Sequence, residues 1–119
     1  MPAPSPDWRA EEARNAATSR DINEWVLEAD RADPSSIVAM HDYFCECSDE
    51  RCRQRIRLTE SEYEMVRSEA VRFMVAPTHE NPEIDRVVAE NERFSTVEMF
   101  YGEPARIARA TDPRRVRVA

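Results

Sequence analysis

The sequence predicts an α+β fold, with a long N-terminal helix ahead of a small antiparallel sheet. Three observations carry this. Apolar residues in the first thirty positions recur at helical spacing. Beyond residue 40 they fall instead in short β-branched and aromatic runs between turn residues. Three cysteines, Cys45, Cys47 and Cys52, stand between these regions in a polar stretch. At 119 residues the chain is one domain's worth, and with 41% hydrophobic and 34% charged residues its core would gain from a metal staple.

The organisation read from these signals is a helix over residues 1–34, a zinc-stabilised α+β domain over 35–111 and a basic tail over 112–119. In the helix, Ser5 can cap a first position at Pro6, and Asp7, Glu11 and Glu12 suit the positive end of the dipole. Ile22, Trp25, Val26 and Ala29 follow i, i+3, i+4, i+7 spacing and predict the buried face, with Ala13, Ala16 and Ala17 as a thinner stripe upstream. Trp25 reads as core, and Trp8 as an exposed anchor for a partner. Asp33-Pro34 stops the helix after about Asp30.

Ile37 to Phe44 leads into the cysteines, with a strand near Tyr43-Phe44. Arg55 to Leu58 alternates like a half-buried strand. Thr59-Glu60-Ser61-Glu62 is a capping box, opening a helix to near Glu69 with Tyr63, Val66 and Ala70 on one face. Glu60, Glu62, Glu64 and Glu69 read as its solvated side. Arg72 to Ala76 is a strand stopped by Pro77, and Thr78 to Glu83 a loop. Ile84 to Glu90 and Phe94 to Tyr101 predict a hairpin around Asn91-Glu92. Gly102 breaks the chain, a short helix covers Pro104 to Ala110, and the tail has no period.

The C-x-C-x4-C stretch from Cys45 to Cys52 is the most informative. Glu46, Ser48, Asp49, Glu50 and Arg51 give no apolar context for buried thiols, and thiolates are soft ligands suited to zinc. Three cysteines need a fourth ligand, and the chain has two histidines, His41 and His79. His79 follows a strand in a polar loop and lies far from the knuckle in sequence, so ligating it would tie one half of the domain to the other. His41 shares a strand face with Cys45 but would crowd a local cluster. The metal set expected is therefore Cys45, Cys47, Cys52 and His79 around one Zn2+, with His41 as the alternative. If His79 did not bind, the three thiolates and a water would look catalytic, with Glu46 or Glu80 as the nearest base.

These residues also carry a resemblance. Phe44-Cys45-Glu46-Cys47 and Cys52, then Leu58-Thr59 with Glu62-Tyr63, then Pro77-x-His79-Glu80, resemble a family of small bacterial hypothetical proteins. Its members share an F-x-C-E-C-x4-C knuckle, an L-T-x-x-E-Y helix start and a P-G-H-E loop. Arg20-x-x-Asn23-Glu24 is similar to its N-terminal helix, and Val87-Val88 and Thr96-Val97-Glu98 to its hairpin. The likeness covers roughly residues 14–110. It implies the pairing of His79 with the cysteines and nothing catalytic. Thr78 departs from it, standing where the family has the Gly of a left-handed turn.

Charge narrows the function. All 17 basic residues are arginine, against 24 acids, for a net charge of −7. Residues 104–119 alone are basic, with five arginines against one acid. An acidic body argues against a DNA-binding surface and permits a tail that docks on an acidic partner or back on its own domain. A single glycine excludes Gly-rich phosphate loops, and no nucleophile elbow or His-Glu-x-x-His is present. No apolar run is long enough to span a membrane, and Met1 to Asp7 lacks the pattern of a secretory signal, so a cytoplasmic protein is expected. The expectation is a non-enzymatic, zinc-stabilised module that binds another protein, with regulation as a role open to it and no small-molecule substrate. The alternatives are a nucleic-acid-associated regulator using Arg106, Arg109, Arg114, Arg115 and Arg117, and a redox or catalytic zinc protein at the knuckle.

Overall fold

The structure is a computed structural model and describes residues 7–33, 40–100 and 102–115. Its architecture is α+β. Helix α1 (Asp7–Ala32) leads to strands β1 (His41–Phe44) and β2 (Arg55–Leu58), then helix α2 (Glu60–Arg67). Strands β3 (Arg72–Val75), β4 (Asp85–Glu90) and β5 (Ser95–Met99) follow, and helix α3 (Glu103–Ala110) closes the chain. The predicted small sheet is two sheets: an antiparallel β1–β2 ribbon, and a three-stranded antiparallel sheet in the order β3-β5-β4. The β4–β5 hairpin carries an irregularity between Val87 and Ala89.

Alternation sets the sheet faces. Ile56 and Leu58 of β2 point inward and Arg55 and Arg57 outward; Ser95, Val97 and Met99 of β5 are buried between half-buried Thr96 and Glu98. The capping box at Thr59 is formed: its side chain accepts the Glu62 N–H, and Glu62 accepts the Thr59 N–H at 2.9 Å. Helix α2 ends at Arg67, earlier than the pattern suggested, and buries Tyr63, Val66 and Arg67. Tyr63 stacks on Tyr43 with ring centroids 4.3 Å apart, joining α2 to the ribbon.

Helix α1 turns a different face inward from the one its large apolar residues mark. Trp25 is 69% exposed and Ile22 44%. Ala29 is exposed and Val26 half-buried. The buried face is Ala10, Ala13, Ala16, Ala17, Arg20, Asn23 and Leu27, at three- and four-residue steps. The alanines let α3 approach closely, with Ala105, Ile107 and Ala108 buried against the core. Arg20 reaches across to donate to the carbonyls of Ala70 at 2.7 Å and Ala108 at 3.0 Å, and its guanidinium stacks on Phe73. Its burial is thus offset by hydrogen bonds to three separate sites, the third being the Thr111 hydroxyl. The Ser5-Pro6 cap, the Pro34 stop, Ile37 to Ala39, Tyr101 and Arg117 lie outside the described residues.

Candidate metal centre

The knuckle hangs from the end of β1. The ribbon ladder continues one step past the strand, with the Cys45 N–H donating to Gln54 at 2.8 Å. The chain then crosses to the second sheet, where the Glu46 N–H donates to the Met74 carbonyl at 2.9 Å. Backbone alternation therefore sends Cys45 and Cys47 one way and Glu46 the other. Asp49 makes the return: its side chain accepts the Arg51 N–H at 2.9 Å and its carbonyl accepts the Cys52 N–H at 3.0 Å. This turn brings Cys52 back beside the first two thiols.

The fourth residue arrives from the loop after β3. Pro77 and Thr78 form a turn closed by the His79 N–H donating to Ala76 at 2.9 Å. Thr78 has φ of 72°, so the turn is of the type that puts Pro at its first corner and a left-handed residue at its second. That conformation turns the imidazole onto the knuckle. Nδ1 of His79 lies 3.5 Å from Cys45 Sγ and 3.7 Å from Cys52 Sγ. The four candidate donor atoms, one each from Cys45, Cys47, Cys52 and His79, lie within 4.8 Å of one another. In a tetrahedral zinc site, with Zn–S near 2.3 Å and Zn–N near 2.0 Å, the S–N edge is about 3.5 Å. The residues are therefore close enough to hold one metal ion, and His79 approaches at the spacing such a site needs.

His41 does not join them. Its Nδ1 is 2.6 Å from Asp30 Oδ2, which ties β1 to the end of α1. Strand β3 pairs with β5, and its other edge meets the knuckle at Glu46.

The electrostatics of the thiols follow from their closeness. Cys47 is pulled down to about 5, chiefly by the hydrogen bond from Cys45, with the Asp49 backbone, His79 and Cys52 adding to it against burial. Cys45 is pushed up, first by donating to Cys47 and then by burial. Burial likewise raises Cys52. The closeness of the three thiols thus favours ionisation of Cys47 over the other two. The Ala76 N–H, 3.2 Å from Cys45 Sγ, is placed to stabilise a thiolate there. Behind the cluster, burial pushes Asp85 up to about 7, although it accepts the Asn81 N–H at 3.1 Å. Asn81 in turn donates to Glu12 of α1 and to Ser48 of the knuckle, each at 2.9 Å.

Glu46 is the residue whose role the sequence hid. Its side chain is fully buried, and Arg67 grips it in a fork, with contacts of 2.5 Å and 2.8 Å. Asn23 donates to the same carboxylate at 2.7 Å and the Met74 N–H at 3.1 Å. Asn23 also brackets the backbone of Phe44, accepting its N–H at 2.8 Å and donating to its carbonyl at 2.9 Å. So α1, α2 and β3 all fasten the link between the first two cysteines. A carboxylate held this way cannot serve as a base at the metal. The one signal for it in the sequence was the resemblance, which contains Glu46 and the Arg20-x-x-Asn23-Glu24 set without giving their partners.

Two of the C-terminal arginines turn to the chain's own acids. Arg106 pairs with Glu103 at 2.6 Å, and Arg114 bridges Glu24 and Glu64 at 2.5 Å each. Among the described residues no helix is long and apolar enough to cross a membrane. Compared with known proteins, the chain matches no family model, no curated protein and no solved structure.

Proposed function

We propose that the chain is a non-enzymatic protein-interaction module whose fold is fastened by one structural zinc on Cys45, Cys47, Cys52 and His79. The observation that carries this is the convergence of three cysteine sulfurs and one imidazole nitrogen within 4.8 Å. Four protein donors of this kind fill a tetrahedron and leave no position for a reacting water, which is the pattern of a structural site. Soft thiolates favour zinc over calcium or magnesium. The ion would link β1, the β1–β2 connection and the loop after β3. It would add order at the junction of the two sheets.

Kinship with the small bacterial proteins of the F-x-C-E-C knuckle is part of the same reading. It is supported by Thr78, which takes the left-handed conformation for which those proteins carry glycine. Cysteines present as thiols suit a reducing compartment, and we place the protein in the cytoplasm.

The test compares two histidines. Protein purified without chelators should carry one zinc per chain. His79→Ala should lose zinc to a chelator far more readily than wild type, as Cys47→Ala should. His41→Ala should keep its zinc, because its ring is engaged by Asp30. A structural zinc supplies on the order of 10 kcal/mol, comparable to many domains' whole stability, so the His79 variant should also melt at lower temperature. Wild-type zinc affinity in His79→Ala would refute the ligand set.

A further inference from the structure

Among the described arginines most meet a carboxylate: Arg9, Arg31, Arg57, Arg67, Arg72, Arg86, Arg93, Arg106 and Arg114 all do. In a chain with 24 acids this is expected. Of the rest, three stand together. Arg51, Arg53 and Arg55 flank Cys52 and open β2, all three are exposed, and none pairs with a carboxylate among the described residues. Arg53 bonds only the carbonyls of Glu50 and Cys52, and Arg55 lies over the Phe44 ring. At Arg53 a cleft of about 400 Å³ opens between α1 and the knuckle. Ile22 and Phe44 line it with apolar surface and Thr18 and Ser19 with hydroxyls, and Glu50 and Arg53 each add a charge. Ile22 is a large apolar residue that α1 leaves outside the core.

We infer that this face binds an acidic protein segment, seating one bulky apolar side chain in the cleft while neighbouring carboxylates meet Arg51, Arg53 and Arg55. This names the partner's chemistry for the interaction module proposed above and rests on that reading. Charge complementarity selects the segment: three exposed arginines at alternate positions of one stretch, with no carboxylate partners among the described residues, attract carboxylates. An apolar pocket with a charged rim is the usual anatomy of such contacts. A nucleic acid suits the face less well. One face of the Phe44 ring is covered by Arg55, which restricts stacking of a base there, whereas an aliphatic side chain can still pack against Ile22. The zinc site belongs to the same device, since Cys52 lies between Arg51 and Arg53 and its ligation would fix where they point.

The experiment titrates zinc-loaded full-length chain against fluorescein-labelled probes, read by anisotropy. The probes are a short glutamate peptide with one central leucine, the same peptide with serine at the centre, and a thymidine oligonucleotide of matched charge. The leucine peptide should bind at least about tenfold tighter than the other two, which corresponds to roughly 1.4 kcal/mol. Joint replacement of Arg51, Arg53 and Arg55 by glutamine should lower that affinity at least about tenfold with zinc content unchanged. Ile22→Ser, remote from the metal ligands in sequence, should remove the preference for leucine over serine. Arg106→Gln should change nothing. Absence of saturable binding, equal binding of both peptides, or tighter binding of the oligonucleotide overturns the inference. Zinc measured on the same samples separates the failures: zinc-loaded protein that ignores the peptides refutes only this surface, whereas zinc-free folded protein refutes the module reading itself.

Discussion

Thr78 concentrates the residue-scale physics of the site. A β-branched residue with φ of 72° carries strain, because its Cβ crowds the following carbonyl, and the left-handed region costs about 1–2 kcal/mol for such residues. Glycine has no such cost but loses more chain entropy on folding, about 0.5–1 kcal/mol. The difference favours glycine. Thr78→Gly should therefore raise the melting temperature of the zinc-loaded protein by a few degrees, for a gain of roughly 0.5–1 kcal/mol. Calorimetry that finds a lower melting temperature would show the threonine side chain contributing more than its strain costs. The cluster of Cys45, Cys47, Cys52 and His79 was legible residue by residue, because three cysteines in a polar stretch call for a common partner. The purpose of Glu46 was not. A glutamate between two cysteines looks solvated until the chain's alternation is known, and here alternation sends it to Arg67 in the core.

At the scale of elements, strands and turns were easier to read than the helix face. Alternation located β2, the capping box located α2, and Pro77 ended β3, because each signal is local. For helix α1 the periodicity gave the span and the buried Ala13, Ala16 and Ala17 stripe, but the wrong face further along, because apolarity alone marked Ile22 and Trp25. Its inward face is built from alanines plus Arg20 and Asn23, whose partners lie tens of residues away at Ala70, Ala108, Phe44 and Glu46. Polar residues in a core can be recognised only with those partners in view. The two faces give a clean contrast. Asn23→Ala would leave the Phe44 N–H and carbonyl without their partner and take one donor from Glu46, costing about 3 kcal/mol. Trp25→Ser should stay within about 0.5 kcal/mol of wild type. Chemical denaturation of both variants checks this, and a large loss in Trp25→Ser would return the buried face to the side the apolar residues mark.

For the whole molecule, the knuckle lies where α1, the ribbon and the three-stranded sheet meet, so metal and fold should titrate together. The direction follows from the thiols. In the proposed site zinc would take Cys45, Cys47 and Cys52 as thiolates and His79 as the neutral imidazole. In the metal-free protein at neutral pH, Cys47 is already ionised, being pulled down to about 5, whereas Cys45 and Cys52 are pushed up and keep their protons. Binding must then release about two protons, and by linkage log K for zinc should rise by about two for each pH unit near neutrality. The sign is fixed: the metal-free state holds more protons, so acid favours it and alkali favours the loaded state. Below about pH 5 the Cys47 thiolate also protonates, and the dependence should steepen further. Competition with a chromophoric chelator, corrected for the chelator's own protonation, measures the slope. A slope near three at neutral pH would mean that no thiolate preexists and that the hydrogen bonds from Cys45 and Cys52 do not hold Cys47 ionised. A slope near zero would remove at least two cysteines from the ligand set, and with them the metal's hold on the junction of the two sheets.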